Sequence, residues 1–270
     1  MTQKIIVIVH LGNHNMQHIV TIANQKGGVG KTTTAINLSA SLAALEKKIL
    51  LIDLDPQGNA TSGLGVEVDA EKNVYKALFE PDKAQSMITE TKLPYLSILG
   101  ANQDLIGAEI ELVDKIGREF YLRDLIKGIS IQYDFIIIDC PPSLGLLTVN
   151  ALCAASKLLI PLQCEYYALE GIAHLLRTYN LVKNRLNPDL NILGVVLTMF
   201  DKRNNLSHQV AEEVKKYFNE LVFNTIIPRN VRLSEAPSHG LPVILYDVKS
   251  KGARAYMELA KEFIKRFRIA

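Results

Sequence analysis

The segment His18-Ile19-Val20-Thr21-Ile22-Ala23 runs into Asn24-Gln25-Lys26-Gly27-Gly28-Val29-Gly30-Lys31-Thr32-Thr33-Thr34 and then into a stretch of helical period. Its first part is apolar and β-branched, which suits a buried strand. The glycines let successive backbone N–H groups converge on phosphate oxygens, where side chains would block the approach. The helix that follows adds unpaired N–H groups and the positive end of its dipole. Gly27, Gly28, Val29, Gly30 and Thr33 would wrap the phosphates; Lys31 would bring its charge to the outer ones, and Thr32 a hydroxyl to magnesium. The common form of the loop has a glycine where Gln25 stands, and this chain has instead a second lysine, Lys26, five residues ahead of Lys31. An ordinary glycine-rich turn would share the glycines, but strand, loop, Lys-Thr pair and helix in this order favour a phosphate loop.

Outward from that loop, short β-rich runs alternate with helical-period stretches. Strands are expected at His18–Ala23, Lys48–Asp53, Tyr95–Leu99, Tyr133–Asp139, Lys157–Leu162, Asn191–Thr198, Leu221–Ile227 and Val243–Tyr246. Several are apolar throughout, as parallel strands covered on both faces are. Helices are expected at Lys31–Lys47, Gln103–Lys127, Leu144–Ala155, Ala168–Asn187, Asn205–Phe218 and Gly252–Arg268. This alternation predicts an α/β fold: a doubly wound, mostly parallel sheet of about seven or eight strands with helices on both faces. The stretch Gly58–Gln85 reads as irregular surface.

The chain has 270 residues, 48% of them hydrophobic and 21% charged, which excludes a disordered or fibrous protein. No apolar run approaches the ~18–20 residues of a membrane-spanning helix. Cys140, Cys153 and Cys164 are odd in number and lack a CxxC pair, which argues for a reducing compartment and against a zinc site. Residues 1–15 read as a loose extension or an over-long start: the apolar run Ile5–Val9 is too short for a signal peptide, and a proper strand opens after Met16. Residues 16–270 read as one domain, without a linker or repeat. Charge is uneven: 13 basic and 8 acidic side chains from residue 195 onward, against 17 and 20 before it. Lys202, Arg203, Lys215, Lys216, Arg229, Arg232, Lys249, Lys251 and Arg254 could form a stripe suited to a polyanion.

Three carboxylates fall at strand ends, where ligands of open α/β sheets bind. Asp139 closes the apolar run Phe135–Ile138, a place a carboxylate rarely occupies without a partner. A hydrated magnesium held jointly with Thr32 would be that partner; a helix cap on the segment after Pro142 is the alternative. Asp53 and Asp55 are two apart, so one can point into the site and the other away. The last helix shows Ala255, Tyr256, Leu259, Ala260, Phe263, Ile264 and Phe267 on one face, a pattern of core packing more often than of membrane-surface binding.

Lys26-Gly27-Gly28-Val29-Gly30-Lys31-Thr32 resembles the deviant phosphate loop of the ParA/MinD class of ATPases. Three more segments narrow the resemblance to the short chromosomal ParA type often called Soj. They are Asp53-Leu54-Asp55-Pro56-Gln57-Gly58-Asn59-Ala60-Thr61, Ile138-Asp139-Cys140-Pro141-Pro142-Ser143, and the stretch from Ile227-Pro228-Arg229-Asn230-Val231-Arg232 to Gly240. The resemblance implies ATP and magnesium as cofactors, with Thr32, Asp53 and Asp139 around the metal and Asp55 orienting the attacking water. It implies that Lys26 crosses an ATP-sandwich homodimer to the partner's phosphates, and that Pro228 and Asn230 flank the adenine. Arg203 and Arg232 become the best candidates for contact with double-stranded DNA of any sequence. A ParB-type partner would stimulate hydrolysis and release, in a bacterial cytoplasm and on the nucleoid. There is no N-terminal helix-turn-helix domain, which speaks against operator binding, and no added amphipathic segment after the last helix.

The rivals on the same fold are a MinD-like membrane-surface ATPase, a metabolic enzyme that activates a small molecule with ATP, and an iron–sulfur reductase. The last needs cysteines placed symmetrically across a dimer, which Cys140 and Cys153 do not obviously supply.

Overall fold

The computed structural model describes residues 18–129, 133–165 and 168–269. In chain order they form β1 (His18–Ile22), α1 (Lys31–Ala44), β2 (Ile49–Asp53), α2 (Asn59–Gly63), α3 (Val74–Phe79), α4 (Ala84–Met87), β3 (Thr89–Glu90), β4 (Leu96–Leu99), α5 (Leu105–Glu111), α6 (Tyr121–Ile129), β5 (Phe135–Asp139), α7 (Leu146–Ala154), β6 (Lys157–Gln163), α8 (Ala168–Arg185), β7 (Asn191–Thr198), α9 (Asn205–Phe218), α10 (Val231–Glu235), α11 (Val243–Tyr246) and α12 (Lys251–Ile269). The expectation for residues 1–15 lies outside the described residues.

The sheet runs β3-β4-β2-β5-β1-β6-β7, parallel throughout except for the β3–β4 pair. Its apolar strands are explained by cover on both faces. On β2, Leu50 and Ile52 point into one core while Ile49 and Leu51 point into the other; on β5, Ile136 and Ile138 oppose Phe135 and Ile137 in the same way. One core is closed by α3, α4, α6, α7 and α8, the other by α1 and α12. Each fully buried Leu or Ile contributes about 1.5–3 kcal/mol, so both layers are needed. On α12, Leu259, Ala260 and Phe263 are completely buried, and Phe263 and Phe267 each lie 5.3 Å from the Phe135 ring. The apolar face of α12 is therefore spent on the sheet.

Two expected strands are not strands. Leu221–Ile227 runs beside β7, with Phe223 N–H donating to Val195 O and Ile227 N–H to Leu197 O, both at 2.9 Å. Between them, Asn224 N–H and Thr225 N–H turn away to the Glu262 carboxylate of α12 (2.8 and 2.9 Å), so no continuous ladder forms. Val243–Tyr246 is the single helical turn α11, because Pro242 starts it and Val243 N–H is taken by Asn37 Oδ1 at 2.7 Å instead of by a strand. The long helix expected at Gln103–Lys127 breaks into α5 and α6 around a 3-10 turn and Gly117, whose φ of 67° is left-handed. Gly58–Gln85 is more ordered than expected, since it holds α2, α3 and the start of α4, with Val74, Ala77, Leu78 and Ala84 buried.

Candidate functional site

Strand register assembles the site. Ile22 of β1 and Asp53 of β2 both pair with Asp139 of β5, so the phosphate loop and the two carboxylates share one edge of the sheet. The loop turns by left-handed glycines, Gly28 (φ 74°) and Gly30 (φ 85°), and Gly30 caps α1. Val29 is buried, and its carbonyl accepts from Thr198 Oγ1 at 2.8 Å, so β7 braces the loop. A Cβ on Gly27 or Gly28 would meet nothing within 4 Å. Asn24 clamps the loop from behind: Nδ2 donates to Pro161 O (2.8 Å) while Oδ1 accepts from Lys26 N–H (3.1 Å).

Lys31 is 7% exposed, and its Nζ donates to the Lys26 carbonyl at 3.2 Å. Burial lowers its pKa, and Asp139 is the foremost group opposing that drift. Lys26 points elsewhere, to Glu165 Oε2 at 2.7 Å. Thr33 lines a neighbouring cavity, while Thr32 lies close enough to Asp139 to draw its pKa down.

The carboxylates differ in their support. Asp53 is fully buried, with Oδ2 accepting from Thr61 N–H (2.9 Å) and Thr61 Oγ1 (2.7 Å) and Oδ1 accepting from Asp55 N–H (3.2 Å). Burial pushes its pKa up to about 6 against those donors. Asp139 is also fully buried, yet neither oxygen has a partner in hydrogen-bond geometry among the described residues. Burial first, and then the charge of Asp53, raise its pKa well above the usual carboxylate range. Burial and the Asp139 charge likewise push the Cys140 thiol up, which leaves it inert filler. Asp55 is nearly buried, and its Oδ1 accepts from Gln57 N–H at 3.0 Å. No three His, Cys, Asp or Glu side chains converge as metal ligands among the described residues. A cation at Asp139 would take most of its shell from water and phosphate oxygens, the habit of magnesium rather than of zinc.

Beside the loop lies a cavity of about 420 Å³ lined by Gly30, Thr33, Thr198, Met199, Pro228, Asn230 and Tyr256 among others. Its mixed apolar and amide lining and its place one loop away from the phosphates suit a nucleotide base. The two expected base neighbours, Pro228 and Asn230, are both on its wall. Asn230 also caps α10, since its Oδ1 accepts from Arg232 N–H at 3.0 Å.

The two expected DNA-contacting arginines are each engaged within the chain. Arg203, 90% exposed, makes a two-pronged bond to Asp201 (3.1 and 2.9 Å), which holds the Asp201 carboxyl down at about 2. Arg232 meets Glu235 at 2.7 Å and Asp247 at 3.3 Å.

Sequence reasoning missed Thr61, the double donor to Asp53, although it had quoted the segment that contains it. It also missed Asn24 and Glu165. Asn24 and Glu165 each stand two residues past a strand end and Thr61 lies in the short helix α2, places where polar residues are common and carry no spacing rule.

Comparison with known proteins adds to this geometry. A family described as an AAA domain matches residues 17–192. The chain is 59% identical to the chromosome partitioning protein ParA of Myxococcus xanthus over 92% of its own length and 88% of that protein's. It is 58% identical to the sporulation initiation inhibitor protein Soj of Bacillus subtilis over 92% and 98%. Among solved structures, cobyrinic acid a,c-diamide synthase from Mycobacterium smegmatis with bound ADP and magnesium superposes with a TM-score of 0.82 at 38% identity, covering 94% of this chain and 96% of that one. Identity near 60% over almost the whole chain, with the phosphate loop, the strand-end carboxylates and the base-sized cavity all in place, puts this chain in the ParA/Soj family of chromosome-partitioning proteins.

Proposed function

We propose that this chain is a DNA-partitioning switch ATPase: it binds ATP and magnesium, pairs with a second copy across the nucleotides, holds double-stranded DNA without sequence preference, and lets go after hydrolysis. One observation carries the reading. A buried carboxylate, Asp139, stands without a donor at the edge of a phosphate loop that opens onto a base-sized cavity. Leaving a buried carboxylate so is costly unless a cation joins it.

In this reading Thr32 and Asp139 hold the hydrated metal, and Thr61 keeps Asp53 aimed beside it. Magnesium, when bound, neutralises charge on the outer phosphates. Lys31 leaves the Lys26 carbonyl for those phosphates, a stronger partner because it is charged. Asp55, anchored by Gln57 N–H, orients the attacking water. Pro228 and Asn230 flank the adenine. Lys26 reaches the partner's phosphates and stabilises charge there, as an arginine finger would. Gly27 supports that contact, since nothing within its own chain fills the space a Cβ would take. Arg203 and Arg232 meet DNA phosphates, a ParB-type partner speeds hydrolysis, and the protein works in the cytoplasm on the nucleoid. No described helix is long and apolar enough to cross a membrane.

The test is binding to mixed-sequence duplex DNA over a range of salt, with ATP, ADP or no nucleotide. ATP-dependent binding that weakens steeply with salt, that Lys31→Ala abolishes and that Arg232→Ala weakens, is the expected result. The likeness to a diamide synthase structure makes a metabolic enzyme the second reading. Turnover that needs a small carboxylic acid and ignores DNA would favour it.

A further inference from the structure

Lys26 is held at three points, two of which lead to the end of β6. Its Nζ meets Glu165 Oε2 at 2.7 Å, and Glu165 is itself steadied by Gln163 Nε2, which donates to Oε1. Its N–H donates to Asn24 Oδ1, whose own amide bonds Pro161 O of the same strand. Its carbonyl accepts from Lys31 Nζ at 3.2 Å. The side chain of the one loop lysine that is not needed for its own phosphates thus folds back onto its own subunit. The other loop lysine holds the backbone in that pose.

We infer that Glu165 is a positioning residue: it stores Lys26 inside its own subunit until nucleotide arrives, and so couples phosphate binding to release of the lysine that joins two copies. The inference rests on the reading in which Lys26 crosses to the partner. Its logic is competition for Lys31. When phosphates take the Lys31 ammonium, the Lys26 carbonyl loses its donor, because an anionic phosphate oxygen attracts the ammonium more strongly than a neutral carbonyl does. The Lys26–Glu165 pair then stands almost alone, with side chains 33% and 47% exposed. A pair so open to water is weak, and the negative phosphates of a second subunit can displace it. Such a latch holds back the dimer-competent conformer only modestly, and twice over in a symmetric dimer.

Three variants of the full chain test this: Glu165→Gln, Glu165→Asp and Lys26→Ala. Without nucleotide, acetylation of Lys26 by acetic anhydride, followed by mass spectrometry, should quicken roughly two- to five-fold in Glu165→Gln. With magnesium and a non-hydrolysable ATP analogue, sedimentation should show the Glu165→Gln dimer forming roughly two- to thirty-fold more tightly than wild type, because both latches are gone. Glu165→Asp keeps the charge and should fall between. Lys26→Ala should not dimerise. If Lys26→Ala dimerises like wild type, the crossing reading fails and the latch with it. If Lys26→Ala fails to dimerise while Glu165→Gln matches wild type or is weaker, the latch alone is overturned.

Discussion

Asp139 and Asp53 are cross-strand neighbours at the ends of β5 and β2, both wholly buried, and only Asp53 has hydrogen-bond donors. Two adjacent buried carboxylates repel each other and lose solvation, so the pair stores unfavourable energy that a cation would relieve. Thr61 offsets part of that cost for one member. For the other, the nearby Thr32 hydroxyl and Lys31 ammonium oppose the cost of burial but leave the carboxyl raised well above its usual range.

Replacing Asp139 by Asn should therefore stabilise the nucleotide-free protein, by about 1–3 kcal/mol, while abolishing ATP hydrolysis. The pH dependence follows from raised pKa values. Asp53 moves from an ordinary 3.8 to about 6, and Asp139 is raised well above the usual carboxylate range. The folded state holds these protons more tightly than the unfolded one, so the Asp53 contribution is present below 3.8 and lost as pH rises through about 6, and that of Asp139 is likewise present at low pH and lost as pH rises. Thermal midpoints measured with chelator from pH 4 to about 8 should fall more steeply for wild type than for Asp139→Asn. Parallel curves would contradict the account.

Thr61→Val keeps the shape of Thr61 but removes a hydroxyl that donates to Asp53 at 2.7 Å and accepts from Ala101 N–H at 2.9 Å. The loss should be about 1–3 kcal/mol, read in urea melts, with Thr61→Ser close to wild type. Hydrolysis should drop as well, since Asp53 would no longer be held in place.

The loop glycines should separate strain from assembly. Gly30→Ala would force a φ of 85° on a side chain that finds ordinary contact with Met199 at 3.6 Å, so the cost is conformational, about 1–2 kcal/mol. Gly27→Ala meets nothing in its own chain and should leave the melting curve within about 0.5 kcal/mol of wild type. Its expected defect is in ATP-dependent dimerisation alone, measured by sedimentation.

Arg203→Ala and Arg232→Ala should each lower the salt slope of DNA binding by about 0.9 per protomer, uniformly across sequences. Arg232 has two carboxylates to leave and Arg203 one, so Glu235→Gln should raise DNA affinity. Titrations at several salt concentrations give both quantities.

Much of this was legible in the chain. Apolar strands without alternation announced two-sided cover, and the loop from Lys26 to Thr33 could be assigned from local chemistry because its function needs consecutive residues. Failures came where a tertiary partner overrode local preference. Leu221–Ile227 has strand composition, but Glu262, some forty residues away, captures its backbone N–H groups. Val243–Tyr246 is β-rich, but Asn37 caps it into a turn.

By itself, then, the sequence determined the layer order of strands and helices, the phosphate loop and the three candidate carboxylates. Hydrophobic period and loop chemistry are local properties, readable without coordinates. Only the tertiary structure decided that Asp139 lacks a donor while Thr61 serves Asp53, that Lys26 lies against Glu165, and that Asp201, Glu235 and Asp247 occupy the arginines. Those facts depend on strand register and on side chains from different elements meeting within about 3 Å, the range over which hydrogen bonds and ion pairs act.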